Sequence, residues 1–202
     1  YDCKQLLSGY ANIPQILAVG VGKKNEMNLE ILRRAAGIAG KKLTSLKAKK
    51  IGFVVTSQLQ KESKTDVGQV MVEGLALGSY KFNRYKESYD DKSNLESINL
   101  QCFDLESITS RTALKTGKIR ADGTNLARNL GNMPANDLKP KDLAYTAKNI
   151  AKLHKMSCTV LEEKQMKKLG MGMLLGVSRG SREPAKLIVM EYFHQKAKQT
   201  VA

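Results

Sequence analysis

Two short apolar runs, each followed by a segment with helical spacing, constrain this chain more than any other feature. Ile16-Leu17-Ala18-Val19-Gly20-Val21 is too short for a helix and is interrupted by glycine, which predicts a buried strand. Behind it, Leu29, Leu32, Ala35, Ala36, Ala39, Leu43 and Leu46 recur at steps of three and four, the spacing of one helix face. Asn25 and Asn28 are both N-cap candidates, because a short amide side chain can accept from an otherwise unpaired N–H of the first turn. The pattern then repeats. Ile51-Gly52-Phe53-Val54-Val55 predicts a second strand, and Val67, Val70, Met71, Gly74, Leu75 and Leu77 share a face of a second helix. Strand, helix, strand, helix is the order that builds a parallel-type sheet with helices on its faces.

Residues Phe82 to Ser97 are polar, with Asp90-Asp91 near the middle, and read as a surface loop before a strand over Ile98 to Phe103. From Glu106 to Leu130 there is no proline, so one long helix is expected, although Gly117 and Gly123 each cost it up to about 1 kcal/mol. It should stop at Gly131, just before Pro134. Pro140 then opens a helix carrying Leu143, Ala147, Ile150, Ala151 and His154 on successive turns. Thr159-Val160-Leu161 predicts a strand, Glu162 to Leu169 a short helix, and Leu187-Ile188-Val189-Met190 a strand central to a parallel sheet whose later neighbours are expected to be missing here, leaving apolar surface exposed. Thr200 to Ala202 reads as the start of one more.

The expected fold class is therefore α/β. Residues 1–105 form an N-terminal domain with a mixed sheet flanked by helices, residues 106–131 a linker helix, and residues 132–202 the first part of a second α/β domain. No apolar run approaches the roughly 18 residues of a membrane helix. Tyr1 stands where an initiator methionine would, and no basic-then-apolar leader follows it, so residues upstream are expected to be missing.

The chemistry-bearing residues are dispersed. Cys3, Cys102 and Cys158 form no Cys-x-x-Cys pair, and His154 and His194 do not cluster with them. A disulfide framework and a zinc ribbon both fit badly; reduced thiols, mostly buried, in a cytoplasmic protein fit better. Asp90-Asp91 and Glu162-Glu163 are paired carboxylates of the kind acid–base or metal chemistry uses, but adjacent side chains point apart and both pairs lie in lysine-rich polar stretches. Gly176-Val177-Ser178-Arg179-Gly180 fits the nucleophile-elbow spacing literally, with His194 the one histidine after it and no acid in a suggestive place. Gly20-Val21-Gly22-Lys23 lacks the third glycine of a dinucleotide loop and the Ser or Thr of a phosphate loop, which leaves a turn at a strand end. Gly170-Met171-Gly172-Met173-Leu174-Leu175-Gly176-Val177 has no hard ligand or proton-transfer group and reads as a packing surface. The formal net charge of +15 raises contact with nucleic acid as an alternative. Against it, the lysines are scattered in small groups and only 5% of residues are aromatic, too few for a stacking platform.

Residues 124 to 192 carry a specific resemblance. Asn125-Leu126-Ala127-Arg128-Asn129-Leu130-Gly131-Asn132-Met133-Pro134-Ala135-Asn136-Asp137-Leu138 is similar to the linker helix and following turn of the leucyl aminopeptidase family, with Met133 where threonine is usual. Lys139-Pro140-Lys141-Asp142-Leu143-Ala144 resembles the family's next helix start, with Lys139 replacing a threonine cap, a change expected to cost about 1 kcal/mol. Leu161 to Ser181 and Pro184 to Tyr192 continue the match, and Val19 to Lys23 and Gly74 to Phe82 resemble the family more weakly. The resemblance implies a mixed α/β N-terminal domain, a connecting helix and a catalytic domain. It implies too a hexamer removing N-terminal residues, often leucine, from peptides with two divalent metal ions, manganese or zinc and possibly magnesium. The family's metal-binding segments do not occur in residues 1–202, so the chain is expected to stop before the metal site. The resemblance therefore assigns no catalytic, cofactor-binding or metal residue here. From another class, the alternative is a stand-alone basic binding or assembly module without peptidase activity, touching DNA as some relatives' N-terminal domains do.

Overall fold

The computed structural model describes residues 2–10, 13–48, 50–55, 64–86, 97–102 and 111–193. They divide into two compact units, residues 1–129 and 130–202.

The first unit opens with an antiparallel pair, β1 (Cys3–Tyr10) and β2 (Ile13–Val19), in which Cys3 faces Val19 and Leu6 faces Ile16. β2 thus starts earlier than the apolar run and ends before Gly20, whose N–H donates to the Asp2 carbonyl at 2.8 Å. β1 has no clear sequence signal, because most of its described side chains face water. After Gly22, which adopts the left-handed φ of 83° that suits glycine, comes a single 3-10 turn. α1 (Leu29–Ser45) follows, and of the two candidate caps Asn28 is the one used, its side chain accepting from the Ile31 N–H at 3.0 Å.

α1 packs on α2 (Lys64–Gly78) to make the core: Leu32, Ala36 and Ala39 meet Val67, Val70, Met71 and Leu75, with Leu17 and Val19 of β2 covering one side. Glycine sets how closely the helices approach. A Cβ at Gly40 would stand 2.5 Å from the Leu75 carbonyl oxygen, and one at Gly78 would overlap the Gly37 carbonyl. A second, parallel pair joins β3 (Lys50–Val55) to β4 (Ser97–Cys102), with Ile51 opposite Ile98. The single mixed sheet expected for this region is, among the described residues, two separate pairs, one antiparallel and one parallel. The loop centred on Asp90-Asp91 and the residues between Phe103 and Ser110 lie outside the described residues.

α3 (Arg111–Asn132) is one uninterrupted helix, two glycines included. Gly117 sits against α2, where a Cβ would overlap the Gln69 carbonyl, so its helix-propensity cost is offset by close packing. Gly123 has open space around it.

In the second unit, α4 (Pro140–His154) buries Ala144, Ala147 and Ala151. It packs on an antiparallel pair, β5 (Ser157–Glu162) and β6 (Lys186–Glu191), in which Val160 faces Ile188. Two short helices, α5 (Glu163–Lys168) and α6 (Gly172–Ser178), lie between the strands. Among the described residues β6 pairs only with β5, and antiparallel where a parallel partner was expected; Val189 and Met190 are exposed, as expected of this strand without its later neighbours. A continuous apolar run reads the same whether its second neighbour is present or not. Residues Thr200 to Ala202 lie outside the described residues.

Candidate functional site

The sequence-selected residues do not converge. His154 is exposed at the end of α4, a rim position, and His194 lies outside the described residues. Cys3 and Cys158 are free thiols, both half-buried, while the side chain of Cys102 lies outside what is described. Ser178 is the last residue of α6, not the apex of a strand-to-helix turn, and its hydroxyl donates to the Leu175 carbonyl at 2.9 Å. That geometry belongs to a helix end. Among the described residues, no three His, Cys, Asp or Glu side chains come together in a way that could hold a metal ion.

The carboxylates of the second unit are committed to structure. Glu162 pairs with Lys186 across the β5–β6 ladder, and its N–H donates to the Gln165 side chain at 2.8 Å at the start of α5. Glu163 Oε1 accepts from the Ala185 N–H at 2.8 Å, tying α5 to the approach of β6. Glu162 and Glu163 are both exposed, as expected of solvated carboxylates, and each also makes a hydrogen bond within the unit. Sequence proximity hid this because their partners lie more than twenty residues away.

Lys139 shows the same principle. A lysine has no acceptor to offer at an N-cap. Instead its backbone N–H donates to Asp142 Oδ2 at 3.0 Å, and its Nζ meets Glu183 Oε1 at 2.6 Å. The hydrogen bond to Glu183, aided by the carboxylate charge, holds the Lys139 ammonium above the usual lysine pKa range. The threonine-to-lysine departure exchanges a local cap for a link to the loop before β6.

The segment Gly170 to Val177 is helical over most of its length, and some of its apolar side chains face solvent while Met171 and Leu175 are half-buried. Met173 is 90% exposed and Val177, one turn later on the same face, 87%. Leu169, Leu153, Tyr192 and Phe193 of the same unit are also exposed. The face of Met173 and Val177 carries no proton-transfer or metal-ligating group.

A further cluster escaped the sequence reading. Asn125, Arg128 and Asn129 of α3 meet the end of α2 and Tyr80. The available signal was that the last turn of α2 has no basic residue of its own.

Comparison with known proteins matches both halves of the chain. Residues 6–88 fit the model of the cytosol aminopeptidase family, N-terminal domain, and residues 125–202 that of the cytosol aminopeptidase family, catalytic domain. A probable cytosol aminopeptidase of Geotalea uraniireducens is 35% identical, covering 93% of this chain and 38% of its own length. One from Desulfotalea psychrophila is 34% identical, covering 98% and 40%. Among solved structures, a mutant of tomato leucine aminopeptidase superposes with a TM-score of 0.84 at 27% identity, over 98% of this chain and 40% of that one. The bottromycin maturation enzyme BotP in complex with manganese superposes at 0.79 and 23% identity, over 96% and 40%, a likeness of fold alone. The chain spans about two fifths of the length of these relatives.

Proposed function

Because the chain belongs to the cytosol aminopeptidase family, we propose that it is the N-terminal part of a metal-dependent leucyl aminopeptidase that removes N-terminal residues from peptides. One observation carries this reading: the models of both family domains match in order along a single chain whose fold superposes on a leucine aminopeptidase. On this reading residues 1–105 are the N-terminal domain, 106–131 the linker helix and 132–202 the start of the catalytic domain. The match to the catalytic-domain model from residue 125 and the division into units after residue 129 support it.

The whole protein would use two divalent ions, manganese or zinc and possibly magnesium, to activate water and polarise the scissile carbonyl. The described residues do not fit such a centre, since no ligand set assembles and the second unit's carboxylates that would be candidates are held by cations and backbone N–H groups. On this reading the ligands lie in the part of the relatives' length that this chain does not span. The exposed face of α6 then becomes the surface on which the rest of the catalytic domain packs. We place the protein in the cytoplasm as a homohexamer. The name of its relatives supports the compartment, and no described helix is long and apolar enough to cross a membrane.

Two chains test the proposal: these 202 residues, and a chain extended to the length of the relatives. Titration calorimetry with manganese and zinc, run beside leucine-amide hydrolysis, should find two-metal binding and turnover only in the extended chain. Stoichiometric two-metal binding with turnover by the 202 residues, or neither property in the extended chain, overturns it.

A further inference from the structure

The last turn of α2 leaves carbonyl oxygens without intrahelical partners and carries partial negative charge, yet it contains no basic residue. Ser79 supplies local help: its N–H donates to the Leu75 carbonyl at 2.9 Å and its hydroxyl to Ala76 at 3.3 Å. The remaining partners come from α3, about fifty positions on. Asn125 Nδ2 donates to the Ala76 carbonyl at 3.3 Å, and Arg128 Nη1 donates to the Leu77 carbonyl at 3.0 Å. Arg128 Nη1 also donates to Asn125 Oδ1 at 3.3 Å, which fixes the amide. The same guanidinium lies 5.4 Å from the centre of the Tyr80 ring, within cation–π range, and the Tyr80 hydroxyl donates to Asn129 Oδ1 at 2.9 Å. Residues 125, 128 and 129, three and four apart, share one face of α3, so a single docking event makes every one of these bonds.

We propose that Asn125, Arg128 and Asn129 are a latch, a C-cap for α2 delivered by another helix, which makes α3 up to Asn129 open and close together with the end of α2. A cation at a helix C-terminus is favourable by charge alone. The planar guanidinium adds what a point charge cannot, because it serves a carbonyl, an amide oxygen and a ring face together. The first compact unit ends at Asn129, where the latch ends. This inference does not depend on the peptidase reading.

Hydrogen exchange on the 202-residue chain tests it. In Arg128→Ala, the amides of Ser79 and Tyr80 and those of residues 126–130 should accelerate together by about tenfold, while those of Leu32 to Ala39 stay unchanged. Arg128→Lys keeps the charge and should recover only part of the protection. If Arg128→Ala does not fold, Tyr80→Phe carries the test: it removes the hydroxyl that bonds to Asn129 and keeps the ring, and both segments should accelerate two- to threefold. Acceleration of one segment without the other, no change in either, or full rescue by lysine overturns the latch.

Discussion

Residues 1–129 and residues 130–193 bury apolar surface by different means. In the first unit two helix backbones touch, and branched or long side chains (Leu32, Val67, Val70, Met71, Leu75) interlock around the contact. In the second, the fully buried residues of α4 are all alanines, and Met166 is the one large side chain fully buried among the described residues. Several of its larger apolar residues, Met173 and Val177 foremost, point outward. Among the described residues, the first unit buries its core between α1 and α2. The second has built a platform with an apolar face still open, and the same substitution should therefore mean different things in the two.

The largest contrast is at glycine. Gly78→Ala forces a methyl into the Gly37 backbone, which cannot yield as a side chain would, and should destabilise the first unit by about 3 kcal/mol or more. Gly176→Ala adds the same methyl to α6 with nothing within 4 Å, and should be neutral or stabilise by up to about 1 kcal/mol through helix propensity. Urea unfolding of both variants measures the difference. Equal effects would mean that the close crossing of α1 and α2 is not what holds the first unit.

That contrast also marks what the sequence revealed and what it concealed. The apolar faces of α1 and α2 were legible because helical spacing alone selects Leu32, Ala36, Val70 and Leu75. So was the choice of Asn25 or Asn28 as the cap, because the capping bond is local. Pairing was not legible. Strand β1 is mostly exposed along its described side chains, and whether β6 has one neighbour or two depends on residues far along the chain. The staples of Glu162 and Glu163 and the α3 bonds to α2 join positions 22 to 51 residues apart, where no spacing rule reaches. The open face of α6 was read as a packing surface, but which side of its helix it occupied needed coordinates.

Met166→Ala tests the second unit where it is best packed. Burial is complete at this residue, so truncation should cost at least about 2 kcal/mol. The cost should stay near that lower end, because α5 and α6 are exposed around it and can settle into the space. A loss as large as that of Gly78→Ala would show that the platform is as tightly built as the core of the first unit.

A backbone change sharpens the comparison further. α4 ends with Lys155 in the left-handed conformation, φ 54°, where its Cβ is strained and glycine is not. Lys155→Gly should therefore stabilise the second unit by about 1 kcal/mol in thermal unfolding, with the helix-end bond from Met156 N–H to the Ala151 carbonyl kept. Destabilisation would place the worth of Lys155 in its side chain rather than its backbone.

The smallest effect separates the units by pH. In the first, hydrogen bonds from Arg34 and Arg33 hold the Glu30 carboxyl below its ordinary range. A carboxylate with a lowered folded pKa gives stability that is present above the ordinary glutamate value of about 4.3 and lost as pH falls through the folded value. In the second unit Glu183 raises the Lys139 ammonium, so that contribution is present below the ordinary lysine value of about 10.4 and lost as pH rises through the raised one. Acid should therefore weaken the start of α1, and alkali the link between α4 and the approach to β6. Glu30 and Arg34 are solvent-exposed and the Lys139–Glu183 pair is half-exposed, so added salt should shrink both effects. Melting temperatures of Glu30→Gln should run below those of the parent chain at neutral pH and converge with them in acid. Those of Lys139→Gln should run below and converge in alkali. Convergence of both variants at the same end of the pH range would break the assignment of one pair to each unit.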